Sequence, residues 1–174
     1  MAIGTIGTYF ALAIGNNNDA KDQEEYNKQL AEYQKEQAKC STGEVADLKQ
    51  DPAPVPPTSQ TYADIPELKT EDVTVGTGKE VKAGDCVVIF YHGTLAADGK
   101  AFQGGDNYAG GVPYRSLTTG FVPGFAQGLV GMKEGGERRV LIPSDLAYKD
   151  QANGDIPANS DLIFVIKLVQ IYTP

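Results

Sequence analysis

The sequence predicts an α+β domain in which an antiparallel β-sheet wraps around one short α-helix as a half-barrel. Three observations from Leu68 onward predict it. Short runs of β-branched and aromatic residues recur between glycine-rich turns. Asp98-Gly99 separates two such runs, which is a typical hairpin signal. A single run with helical spacing interrupts the strands, and many strands with one helix pack as a wrapped sheet.

The elements follow in order along the chain. LKTEDVTVGTG alternates like a strand and then turns, and VVIFYHGTLAADGKAF supplies the hairpin. Within its first strand we expect Val87, Ile89 and Tyr91 on one face and Val88, Phe90 and His92 on the other. Pro123 suits the first turn of a helix that continues through GFAQGLVGM, with Phe125, Leu129 and Met132 on one side. ERRVLIPSDLAY and SDLIFVIKLVQIY predict the remaining strands.

The first 66 residues divide into three zones before the domain at residues 67–174. Residues 1–15 are apolar and uncharged but about five residues short of a bilayer span, so we expect a truncated membrane anchor. Residues 16–41 are rich in helix formers with a thin apolar stripe, which predicts a polar helical stalk. Residues 42–66 include DPAPVPPTSQ, which is typical of a semi-rigid proline-rich linker. The arrangement predicts a membrane-anchored, extracytoplasmic, monomeric protein, with a secreted or cytoplasmic protein as the alternatives.

Charge and chemistry-bearing residues exclude several functions. The net charge is −8 and no Lys or Arg residues cluster, so no nucleic-acid partner is expected. The single histidine, His92, is expected to be exposed, so neither a nucleophilic hydrolase nor a metal site is supported, and no cofactor is expected. Cys86 is expected to be a buried free thiol and Cys40 to be exposed. Intermolecular pairing and the redox compartment therefore stay open.

Four segments in register carry a resemblance to a known family. They are VGTGKEVKAGD, VVIFYHGTLAADGKAF, FVPGFAQGLVGMKEGGERRVLIPSDLAY and IPANSDLIFVIKLVQI. In order and spacing they resemble the FKBP-type peptidyl-prolyl isomerases over Leu68 to Pro174. The resemblance implies the FKBP-like half-barrel, rotation of X-Pro bonds in proline-containing polypeptides, and a macrolide as a second class of ligand.

The resemblance also implies which residues form the site. Those expected to bind substrate and promote rotation are the strand tyrosine Tyr91, the pocket phenylalanine Phe102, Val122 through its backbone N–H, Phe125 at the pocket floor, Tyr148 through its hydroxyl, and Phe164 on the far wall. Tyr114, Leu117, Phe121 and Ile156 are expected to add binding contacts, Ile156 from a loop over the site. The segment GGDNYAGGVPYRSLTTG aligns poorly, so Tyr114 and Leu117 are both candidates to complete the pocket.

Two positions depart from the family pattern. Gln103 stands where the family has an aspartate directly after the pocket phenylalanine, and Phe125 stands where it usually has tryptophan. The first change removes a charge and the second removes an indole N–H donor, so we expect retained peptide binding with weaker or altered catalysis. The alternatives are a peptide-binding chaperone module without useful turnover and a structural surface protein with a vestigial domain.

Overall fold

The computed structural model describes residues 61–108 and 111–172, together with residues 24, 27–32, 34, 35, 38 and 40. The strands are β1 (Lys69–Thr74), β2 (Cys86–Leu95), β3 (Ala101–Asp106), β4 (Tyr114–Leu117), β5 (Glu137–Ile142) and β6 (Leu162–Tyr172). One α-helix, α1 (Pro123–Leu129), and two 3-10 turns, Thr118–Gly120 and Ser144–Leu146, lie between them. The predicted α+β architecture is confirmed.

The six strands form one sheet in which the pairs are antiparallel, in the order β1-β5-β6-β2-β3. β2 is central: β6 pairs along its whole length, from Cys86 opposite Tyr172 to Leu95 opposite Leu162. On its other side, β4 pairs with the first half of β2 and β3 with the second half. The Asp98-Gly99 turn joins β2 to β3, as predicted, with Gly99 at φ +69°.

The helix packs against one face of the sheet and forms the core with it. Val87 and Ile89 lie in this core with Phe125, Leu129 and Met132, so the predicted inward faces of β2 and the helix are correct. The predicted length of the helix is wrong: α1 ends at Leu129, before Gly131 at φ +80°, and Met132 reaches the core from the following turn. α1 lies close to β5, since a Cβ at Gly128 would be 2.6 Å from a Val140 methyl carbon.

The opposite face of the sheet is covered as well. His92, predicted to be exposed, is only 8% exposed, and its Nδ1 lies 3.3 Å from an Asp106 carboxylate oxygen. Tyr108, which follows β3, packs on Phe90 with ring centroids 5.6 Å apart, and Val165 is also buried on this face. A period-2 pattern predicts which face a residue occupies but not whether that face is covered.

The folded domain begins before the predicted boundary at residue 67. Ile65 is buried with Leu141 and Ile163, and Tyr62 packs against the same cluster. The Ile65 N–H donates to Asp161 Oδ2 at 2.9 Å and the Tyr62 N–H to the Ala96 carbonyl at 2.8 Å. The end of the predicted linker is therefore a part of the domain.

The described residues of the predicted stalk are helical, and nearly all of them are exposed. Cys40 is the exception: it is 3% exposed and forms a disulfide with Cys86, with the two Cα atoms 5.5 Å apart. The predictions of an exposed Cys40 and a free Cys86 thiol are wrong, because Cys40 packs with Leu117 and Tyr172 at the start of β2.

The predicted anchor at residues 1–15 and residues 42–60 of the predicted linker lie outside the described residues. In the part of the chain that the structure describes, no helix has both the length and the apolar character needed to cross a membrane.

Candidate functional site

Three aromatic rings meet on the helix side of the sheet. Tyr91 from β2, Phe125 from α1 and Phe164 from β6 contact one another edge to face. Their centroids are 6.0 Å apart for Tyr91 and Phe125, 6.3 Å for Tyr91 and Phe164, and 4.9 Å for Phe125 and Phe164. Such pairs are favoured by the ring quadrupoles, so three separate elements build one rigid aromatic centre.

Three more rings extend this centre. Phe102 lies 5.7 Å from Phe164, Tyr114 lies 6.0 Å from Tyr91, and Phe121 stacks on Phe125 at 4.5 Å. We call these six rings the aromatic cluster: Tyr91, Phe102, Tyr114, Phe121, Phe125 and Phe164. Phe102, Phe125 and Phe164 are buried, whereas Tyr114 is 37% exposed, so the cluster has a buried floor and an open rim.

The remaining predicted site residues divide into two groups. Val122 is the N-cap of α1, and Tyr148 packs against the same core as the aromatic cluster. Ile156 is buried at 5% exposure in that core, so the loop following Tyr148 reaches the core that contains the buried rings of the cluster. Leu117 is not brought to the cluster: it is buried with Cys40 and Cys86. Of the two candidates in the poorly aligning segment, only Tyr114 joins the rings.

Gly93 is a further residue of the site, and sequence reasoning missed it. A Cβ at this position would lie 2.6 Å from Phe102 Cζ and 2.6 Å from Phe164 Cε1. The two rings therefore occupy the space above Gly93 that a side chain at this position would need. The only signal in the sequence is a glycine inside an otherwise β-branched and aromatic strand, CVVIFYHGTL.

The tyrosine hydroxyls of the site are neutral donors. Burial raises the pKa of Tyr91 to about 12, and its hydroxyl donates to the Gly104 carbonyl at 3.1 Å. Burial also raises the pKa of Tyr148, against a smaller opposite effect of a hydrogen bond with the Asn153 side chain. Both phenols stay protonated at neutral pH and can donate hydrogen bonds.

Gln103 is exposed on β3 beside Phe102, and its backbone N–H donates to Asp155 Oδ2 at 3.3 Å. Asp155 belongs to the loop that carries Ile156, and sequence reasoning did not single it out. A carboxylate is thus present next to the Gln103 position, although it comes from another part of the chain.

The arrangement suits an apolar ring bordered by a few hydrogen-bond donors. Pockets of this kind bind ligands through aromatic walls and orient them with sparse polar groups. Among the described residues, no group of three His, Cys, Asp or Glu side chains could hold a metal ion.

Comparisons with known proteins point to one family. Residues 77–169 match the family model of the FKBP-type peptidyl-prolyl cis-trans isomerases. The chain is 35% identical over 165 residues to FK506-binding protein 4 of Aspergillus oryzae, which covers 92% of this chain and 33% of that protein. It is 38% identical over 99 residues to the FKBP-type isomerase FkpA of Escherichia coli K12, covering 57% of this chain and 36% of that protein.

Solved structures give the same picture. The crystal structure of FkpA from Escherichia coli has a TM-score of 0.56 and 26% identity, covering 95% of this chain and 78% of that one. The crystal structure of AtFKBP13 has a TM-score of 0.54 and 29% identity, covering 60% of this chain and 93% of that one. The chain spans between about a fifth and about a third of the length of the curated relatives it matches.

Proposed function

The chain belongs to the family of FKBP-type peptidyl-prolyl cis-trans isomerases, and from this membership we propose that its domain accelerates rotation about X-Pro bonds in polypeptides. The observation that carries the proposal is the aromatic cluster, with its buried floor, open rim and protonated Tyr91 and Tyr148 hydroxyls. The substrates proposed are proline-containing segments of folding proteins. A macrolide is a second class of ligand that the same pocket would take.

The chemistry needs neither a nucleophile nor a metal. The barrier to rotation, about 18–20 kcal/mol, comes from the partial double bond of the amide. A site that binds the twisted amide more tightly than the planar one lowers this barrier, and each ~1.4 kcal/mol is a tenfold rate increase. In the proposed mechanism Phe102, Phe125 and Phe164 surround the proline ring and exclude water, while the Tyr148 hydroxyl and the Val122 N–H hold peptide carbonyls.

The second candidate function is a peptide-binding chaperone module with weak turnover. Gln103 favours it, because its exposed, uncharged side chain stands where the family has an aspartate. Phe125 favours it too, since it has no indole N–H to donate. Binding rests on the whole cluster, whereas turnover depends on how well these two residues replace the usual pair.

The test is a protease-coupled assay on a proline peptide, with Phe102→Ala and Phe90→Ala as a matched pair. Both phenylalanines are 9% exposed, but Phe90 lies on the face of β2 opposite the pocket. We expect acceleration by the wild type, a loss of kcat/KM of about tenfold or more in Phe102→Ala, and little change in folded Phe90→Ala. Peptide binding without acceleration at high protein concentration would support the chaperone module and contradict the proposed isomerase activity.

We also propose that the domain works as a monomer in an oxidising compartment outside the cytoplasm, attached to a membrane through residues 1–15. The Cys40–Cys86 disulfide supports the compartment, because such bonds persist where thiols are not kept reduced. Cell fractionation of the full chain and of a variant lacking residues 1–15 tests the attachment. Recovery of both in the same soluble fraction would remove it, and sedimentation analysis tests the monomer.

A further inference from the structure

The loop between Tyr148 and β6 contains a tight turn at residues 153–156. The Asn153 N–H donates to the Ile156 carbonyl at 2.9 Å, and the Ile156 N–H donates back to the Asn153 carbonyl at 3.0 Å. Gly154, inside the turn, has φ +57°, a conformation that glycine adopts without strain. These two bonds make the turn a small rigid unit, so its side chains move together.

This turn contacts both the hydrophobic core and the edge strand β3. Ile156 is buried in the core that contains Phe102, and Tyr148, which begins this loop, packs against the same core. On the other side, Asp155 Oδ2 accepts the Gln103 N–H of β3 at 3.3 Å. β3 is an edge strand of the sheet, which leaves backbone groups available for such a contact.

We propose that Asp155 is a positioning residue of the isomerase site: its carboxylate fastens the 153–156 turn to β3 and so holds Ile156 in place for the bound peptide. This inference rests on the proposed function. The Asp155–Gln103 bond links the loop wall to the strand that carries Phe102, and no other hydrogen bond joins the described residues of these two segments. It also puts a charge beside the position where the family's aspartate is replaced by glutamine.

The bond is solvent-exposed, so it contributes modestly and can open and close as peptides enter and leave. Removing the acceptor leaves the Gln103 N–H to water, since Gln103 is exposed. Asp155→Ala should therefore fold, yet hold its turn less firmly. A looser wall lowers peptide affinity more than it slows rotation in molecules that are already bound.

The experiment measures kcat and KM in the peptide assay for three variants of the full chain: Asp155→Ala, Asp155→Asn and the control Asp150→Ala. Asp150 is exposed on the same loop and makes no hydrogen bond or ion pair with β3 among the described residues. We expect KM to rise about three- to tenfold in Asp155→Ala with kcat within twofold. Asp155→Asn should stay within about twofold of the wild type, because its amide oxygen still accepts the Gln103 N–H. Equal KM in Asp155→Ala and Asp150→Ala, or an Asn variant as impaired as the Ala variant, would overturn the proposal.

A second measurement separates this inference from the proposed function. Amide hydrogen exchange at Gln103, followed by NMR, should speed up about three- to tenfold in Asp155→Ala and stay unchanged in Asp155→Asn and Asp150→Ala. The result does not depend on turnover. Faster exchange in a protein that accelerates no X-Pro rotation would contradict the isomerase proposal but support the role of Asp155 in holding the turn. Unchanged exchange in an active enzyme would contradict only the role of Asp155.

Discussion

At the scale of single residues, the site depends on what is missing at Gly93 as much as on the rings. The Phe102 and Phe164 rings occupy the space above this glycine. Gly93→Ala should therefore push both rings aside, destabilise the domain by about 1–3 kcal/mol and lower kcat/KM. Urea unfolding and the peptide assay check this. A variant with wild-type stability and activity would mean that the rings shift freely, contrary to a rigid aromatic centre.

Tyr91 makes a second prediction at this scale, which concerns pH. Burial raises its pKa to about 12 from an ordinary value of 10, so the folded state keeps the phenol proton that the unfolded state loses. The unfolded chain then binds fewer protons, and stability falls as pH rises from about 10 to about 12. Tyr91→Phe should flatten this fall without abolishing it, since burial raises the pKa of Tyr114 and Tyr148 as well. Urea midpoints at several pH values test it; an unchanged slope in Tyr91→Phe would contradict it.

At the scale of elements, Arg138 of β5 holds the end of α1, and α1 carries Phe125 of the aromatic cluster. Its Nη1 donates to the Gly128 and Val130 carbonyls, both at 3.0 Å, while its Nε and Nη2 donate to the Asp72 carboxylate of β1. One buried guanidinium thus satisfies carbonyls at the helix C-terminus and joins three elements.

Arg138→Met should consequently cost about 2–3 kcal/mol, since it leaves these carbonyls and Asp72 without their donor. This loss in the free energy of unfolding is smaller than for a fully buried ion pair, because the Asp72 side chain is 42% exposed. Arg139→Met is the matched control. The side chain of its partner Glu71 is 35% exposed, so we expect a loss of stability within about 1 kcal/mol. Equal destabilisation of the two variants in urea unfolding would show that the contacts with α1 carry little.

Local patterns predicted the elements well where one periodic signal sufficed. The faces of β2, the Asp98-Gly99 hairpin and the start of α1 at Pro123 all follow from spacing and turn chemistry. The end of α1 does not, because Gly131 lies within a run whose apolar spacing continues to Met132. Burial of His92 and Ile65 depends on which distant segments cover them, and local spacing carries no such information. The contact of Asp155 with Gln103 could not be predicted for the same reason, because the two residues are 52 positions apart in the sequence.

At the scale of the whole molecule, the disulfide joins the polar helical region to the sheet. Cys40 and Cys86 are 46 residues apart in sequence, and their pairing could not be read from two isolated cysteines. Cys86 begins β2, whereas Tyr91 and Gly93 lie five and seven residues further along it, roughly 17 Å or more at strand spacing. The bond therefore ties the two regions at a point away from the aromatic cluster.

This placement separates stability from activity. In the chain-entropy view, closing a loop of this length stabilises the folded state by at most about 4 kcal/mol, through the constraint on the unfolded chain. The Cys40→Ser/Cys86→Ser double variant should then lower the thermal midpoint clearly, while kcat/KM per folded molecule stays within about twofold of the wild type. The backbone pairing of residue 86 with Leu117 of β4 and Tyr172 of β6 does not depend on the disulfide, so the variant should keep this end of the sheet in register. Calorimetry and the peptide assay below the new midpoint check both parts. If the double variant loses activity at temperatures where its domain remains folded, the start of β2 is coupled to the aromatic cluster.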